Sequence, residues 1–279
     1  MLASQRIIHD DGGVLEDKSV ELNNLYAANA TVDLAVTTDY LYIGSDLPFN
    51  HRYFQVSTAN TTAAVVSVQI WDGNSWADAV DVIDQTSSGG KPFAVSGIIS
   101  WARDRDSSWG KEETTENVTG LTSLKIYDLY WARLKVSASL SATTALAYVG
   151  HKFANDDDLG GYYPDLVQSS LMDAFETSKT NWDEQHVLAA EEIIQDIRRK
   201  GIAWNRNQIL NWEQFGPAAV HKVASIIMAA FGNDYKEARG AVVSEYAKAM
   251  NLKIFEIDQD EDGRLDETEK QWSGGISRS

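Results

Sequence analysis

The spacing of apolar and polar residues changes once along the chain, near residue 153. Before that point the period is two. Val65, Val66, Val68, Ile70 and Trp71 form a β-branched run, Asp72-Gly73-Asn74-Ser75 supplies turn chemistry, and a second run follows from Trp76 to Ile83. That order predicts a hairpin. Further strands are expected over 51–57, 129–138 and 143–153; in the second of these, Leu134 and Val136 alternate with Arg133 and Lys135. Short strands separated by turns predict an antiparallel β-sandwich over 1–153, with loops at 87–90 and 104–117.

After residue 163 the period becomes helical. Pro164 opens an apolar spacing that runs to Phe175. From Asn181 to Gly201, acids lie in the first turn, bases in the last, and glycine at the end, the charge order that favours a helix. The run from Pro217 to Phe231 is apolar almost all round, which places it centrally. A fourth helix is expected from Asp234 to Met250. These four predict a helical bundle over 164–251. Residues 154–163, with three successive aspartates at 156–158 and glycines at 160 and 161, read as an exposed linker. Residues 252–279 read as an extended tail. The fold class expected is therefore a multidomain α+β chain: an antiparallel β-sandwich, then a helical bundle, then a tail carrying an EF-hand-like loop.

That loop is the sharpest motif. Asp258, Asp260 and Asp262 stand at positions one, three and five, Gly263 at six and Glu269 at twelve. Calcium takes about six to eight oxygen ligands, and carboxylates two residues apart converge as the chain coils. The expected metal ligands are Asp258, Asp260, Asp262, Arg264 through its carbonyl, Asp266 directly or through water, and Glu269 with both oxygens. The competing reading is a solvated acidic turn. A lone loop suits a structural Ca2+ clamp better than a sensor, because sensors open a pair of helices.

Composition narrows the function. The chain has 279 residues, 43% of them hydrophobic, enough for about two domains with cores. Its net charge of −17 disfavours binding to nucleic-acid phosphate and to anionic lipid. With no cysteine there is no disulfide, thiol nucleophile or thiolate metal site. The first residues lack the apolar run of a signal peptide, which predicts synthesis in the cytoplasm and no membrane association. Phosphate loops, nucleophile elbows and His-x-x-x-His pairs are absent from the sequence, so an enzyme is not expected. His221, on the apolar helix, is expected to be a satisfied core or interface histidine. The tryptophans of the β half, Trp71, Trp76, Trp101, Trp109 and Trp131, allow two roles: core filling, or planar platforms for sugar rings, for which Trp76 and Trp109 are the candidates.

Taken in order, the helices at 182–201, 215–231 and 237–250 and the loop at 258–269 resemble those of head–tail connector (adaptor) proteins of tailed bacteriophages. The resemblance covers roughly residues 160–279 and rests on element order. It implies a virion neck protein that forms a ring, twelve-fold, between the portal protein and a stopper or tail-terminator protein, with genomic DNA passing through unbound. It further implies a portal-docking arm over 252–279, including Leu252, Ile254, Phe255, Ile257 and Trp272. The β half is an addition to the minimal connector. Another class of function open to the chain is a calcium-stabilised carbohydrate-binding module or other virion decoration protein; a glycan hydrolase with paired carboxylates is a third.

Overall fold

A computed structural model describes residues 5–36, 38–102, 109–251, 254–265 and 269–272. These fall into two compact units. One holds the residues up to Gly150 together with Asp260–Arg264; the other holds His151–Gln259 and the described residues from Leu265 onward.

The first unit contains two antiparallel sheets. Its elements are β1 (Gln5–Asp11), β2 (Val14–Asp17), the short helix α1 (Ser19–Leu22), β3 (Ala30–Thr31), β4 (Tyr40–Ser45), β5 (His51–Thr58), β6 (Val66–Trp71), β7 (Trp76–Asp78), β8 (Ile83–Asp84), β9 (Gly97–Ser100), β10 (Lys111–Thr114), β11 (Tyr127–Val136) and β12 (Ala145–Gly150). The larger sheet runs β2-β1-β4-β11-β6-β7, with β10 also paired to β11; the other runs β3-β12-β5-β9-β8. The expected hairpin is β6–β7, closed by Asp72, whose carboxylate accepts from the amides of Asn74 and Ser75. Part of the expected 104–117 loop is instead β10 and a single 3-10 turn at Thr115–Asn117.

Alternation divides the residues of the larger sheet between two faces. Ile7, Leu41, Ile43, Val68 and Leu134 join Phe54, Ile99, Leu146 and Val149 of the other sheet in one buried cluster. On the opposite face Tyr42, Trp71 and Trp131 pack under Val118 and Leu121. Gly44 is needed there: a Cβ on it would lie 2.8 Å from the Trp131 ring. This second apolar layer is why the β half carries so many large aromatics.

The second unit contains α2 (Asp156–Tyr162), α3 (Ser169–Phe175), α4 (Asp183–Arg199), α5 (Gly216–Ala230), α6 (Lys236–Ala249) and a hairpin of β13 (Ile254–Glu256) with β14 (Lys270–Trp272). Apolar residues of α2, α3, α4, α5 and α6 close on one core, with α5 contributing seven buried residues. His221 on α5 accepts or donates a 2.7 Å hydrogen bond with the Tyr163 hydroxyl. No helix among the described residues is long and apolar enough to cross a membrane.

Two sequence expectations are corrected here. The segment 154–163 is not a linker. The Asn155 side chain accepts from the Asp158 amide at 3.0 Å while the Asp158 carboxylate accepts from the Asn155 amide at 2.9 Å, so the aspartate run is the capped first turn of α2. Nor is the described part of the tail an extended arm. Phe255 and Ile257 are buried in the helical core, and Phe255 stacks on Phe215 at 6.0 Å between centroids. Gln214 clamps the backbone of Glu256, accepting from its amide at 3.1 Å and donating to its carbonyl at 2.9 Å. Apolar side chains that an arm would save for a partner are spent on this chain's own core. Leu252 lies outside the described residues; Ile254 and Trp272 are paired positions in the backbone register of the hairpin.

Candidate metal centre

The acidic turn joins the two strands of the β13–β14 hairpin. Asp258 is the second residue beyond β13 and is fully buried; Glu269 immediately precedes β14 and is also buried. The flanking elements are strands, so the turn lacks the helix pair of a complete EF-hand. Its local geometry is that of a coil of successive carboxylate-to-amide bonds. The Asp260 carboxylate accepts from the Asp262 amide at 3.3 Å, and the Asp262 carboxylate accepts from the Arg264 amide at 2.8 Å. The Glu269 carboxylate reaches back to accept from the Gln259 amide at 2.5 Å. Gly263 takes the left-handed conformation at φ +82°, and a Cβ there would lie 2.6 Å from Pro48 and 3.0 Å from Trp109. Glycine is required at this position twice over, by backbone and by space.

One carboxylate oxygen from each of Asp258, Asp260 and Asp262 lies within 4.8 Å of the others, and this is the one group among the described residues arranged to hold a metal ion. Three of the six expected ligands are thus gathered. Glu269 is outside that cluster but tied to the turn through Gln259; Arg264 contributes its amide to Asp262; Asp266 lies outside the described residues. Oxygen-only donors suit a hard cation such as Ca2+, Mg2+ or Mn2+ rather than a thiolate-seeking metal.

A residue that the sequence does not flag braces the site. Gln208, buried 50 positions upstream, donates from Nε2 to the Asp258 carbonyl at 2.9 Å, and its own carbonyl accepts from the Asp258 amide at 3.0 Å. The Gln208 side-chain oxygen accepts from the amides of Trp204 and Asn205. The first ligand is thereby fixed through both its backbone N–H and its carbonyl. No sequence signal connects Gln208 to the acidic run; the pairing exists only in the fold.

The two tryptophans proposed for sugar contact are placed differently. Trp109 is half-buried between Phe49, at 5.2 Å, and Tyr130, at 6.3 Å, and belongs to the wall against the turn. Trp76 donates its indole N–H to the Thr119 carbonyl at 2.9 Å and keeps a half-exposed ring.

Comparison of the chain with protein-family models, with curated proteins and with solved structures gives no match in any of the three.

Proposed function

We propose that the chain is a structural, non-catalytic subunit of the neck of a tailed-bacteriophage virion, a head–tail connector, and that its turn at 258–269 is clamped by Ca2+ in the manner of an EF-hand loop. The observation that carries the metal part is the convergence of Asp258, Asp260 and Asp262 around a left-handed Gly263. The order of α4, α5, α6 and the acidic turn supports the connector part through its resemblance to that family. In this reading the two sheets form an added β-sandwich domain, copies close into a ring between portal and stopper, and the −17 charge keeps sliding DNA from sticking. The β13 strand is then an internal brace, and portal contact falls to other surfaces. Calcium would offset the mutual repulsion of the clustered carboxylates and hold the hairpin closed.

Two measurements test this. Thermal unfolding in saturating Ca2+ against chelator should show a calcium-dependent rise in Tm, since a ligand at a hundred times its Kd stabilises by about 2.7 kcal/mol. The double variant Asp260→Asn with Asp262→Asn, at exposed positions, should lose that rise and keep its fold. An unchanged Tm in calcium removes the clamp. Negative-stain imaging with portal rings of a matching particle should add ring density below the portal; free monomers in that mixture count against the connector.

A further inference from the structure

The outer face of the larger sheet carries a polar row that neither the calcium turn nor the connector reading uses. Register places Asp78 opposite Gln69, Gln69 opposite Arg133, and Arg133 opposite Tyr42, so side chains from β7, β6, β11 and β4 stand side by side on one face. The row is chained by hydrogen bonds. Arg133 Nε donates to Gln69 Oε1 at 2.8 Å, and Gln69 Nε2 donates to Asp78 Oδ1 at 2.7 Å. Two rings hold the guanidinium from either side of β11: its carbon lies 4.2 Å from the Tyr40 centroid and 4.5 Å from that of Trp76.

This arrangement has two consequences. The guanidinium cannot swing, because its plane is held by two rings and its Nε by Gln69. The guanidinium also interacts with the Tyr42 hydroxyl and feels the Asp10 charge, but no carboxylate among the described residues lies within 4.0 Å of it as an ion-pair partner. A half-buried arginine without an ion-pair partner is unexpected in a chain of charge −17, where carboxylates outnumber cations 41 to 24. Fixed guanidinium forks match a carboxylate with two parallel hydrogen bonds. Half-exposed aromatic rings beside amide and carboxylate side chains are the chemistry that receives the C–H face and hydroxyls of a pyranose.

We propose that the Tyr40–Arg133–Trp76 cluster on the outer sheet face is a binding site for a carboxylate-bearing sugar. Arg133 takes the carboxylate through its Nη edge. Tyr40 and Trp76 pack against the ring, and Gln69 and Asp78 hold the arginine in register.

The test is titration of the full chain with an oligosaccharide of β-linked glucuronic acid and with its neutral glucose counterpart, read by intrinsic tryptophan fluorescence and calorimetry. The acidic sugar should bind at least tenfold more tightly than the neutral one, and more weakly as salt rises. Arg133→Gln should remove that preference. Arg133→Lys, which keeps the stem and charge but not the fork, should retain part of it and guards against a simple folding loss, with far-UV circular dichroism as the check. Tyr40→Leu should weaken both sugars. Absence of saturable binding, equal binding of both sugars, or an unchanged preference in Arg133→Gln overturns the site. An acetylated glutamate peptide binding as tightly as the acidic sugar overturns the sugar class.

Discussion

Both units bury polar groups, Arg52 and Asp39 in one and His186 and Lys152 in the other, but only the β unit also strings them along a sheet face. In the β unit, charged and aromatic residues line up in rows on a sheet face, as with Asp78, Gln69 and Arg133. In the helical unit they are turned inward and bridge elements. His186 on α4, fully buried, bonds through Nε2 to Asp156 on α2 at 3.1 Å, and Asp156 also accepts from the Trp182 amide. Buried Lys152 pairs with Asp183 at the start of α4. A sheet presents every second residue to one side, so polar chemistry is available at its surface. A helical bundle with short helices must instead satisfy helix ends and loop carbonyls internally, and it does so with ionisable side chains. The lesson is that a sheet can display a polar row in addition to its buried braces, whereas the polar groups that tie α2 to α4 are internal.

The largest break in this comparison is expected at Trp182. Its ring is fully buried against Phe175, and its N–H donates to the Leu166 carbonyl at 2.8 Å. Trp182→Ala should cost about 3–5 kcal/mol, through cavity and lost transfer energy together. Hydrogen exchange read peptide by peptide should show the loss in 151–251 and leave the strands of the β unit protected.

The next effect is a pH dependence near neutrality that comes from the buried histidines of the helical unit. Burial pushes the His186 imidazole below its ordinary value, against the opposing pull of Asp156. Burial works to raise Asp156, yet the His186 hydrogen bond and charge, the Trp182 amide and the Lys152 charge hold it below the usual carboxylate range. Partial burial lowers His221 as well. For each of these groups the unfolded chain takes up a proton first as pH falls. Stability from the histidines is complete above their unfolded value of about 6.5 and is lost as pH drops below it; Asp156 adds a second loss below about 4. Urea midpoints followed by helical circular dichroism should therefore fall between pH 7.5 and 5, and His186→Gln should flatten that leg. A flat profile in the unaltered protein would remove the buried histidines as the source of that dependence.

The smallest effect is predicted on the β unit's rim. Arg6 meets Asp17 at 3.2 Å with both side chains nearly half exposed. Arg6→Ala should shift stability by no more than about 0.5 kcal/mol in a denaturant titration.

How much of this could be read from the sequence follows from distance along the chain. The β6–β7 hairpin and α4 announce themselves because alternation, turn residues and end charges are local signals. The carboxylates of the turn are legible for the same reason, being two residues apart. The aspartate run at 156–158 misleads because a helix cap and an exposed linker draw on the same residues, and only the Asn155–Asp158 exchange distinguishes them. Phe255 and Ile257 mislead because apolar residues near a terminus serve equally in an arm or a core; Phe215 and Gln214, some forty positions away, decide it. Gln208 and the Tyr40–Arg133 pair lie beyond any local pattern, since strand pairing alone brings β4 beside β11.

The membership of Asp260–Arg264 in the first unit has a consequence for biosynthesis. A ribosome that has finished Gly150 must add about 110 more residues before this last piece exists. At about 5–20 residues per second the wait is about 5–20 s. During that interval the wall formed by Pro48 and Trp109, on which Gly263 later rests, lacks its cover, so the nascent β half passes through a stage with an unfinished flank that closes only after Gly263 has been made.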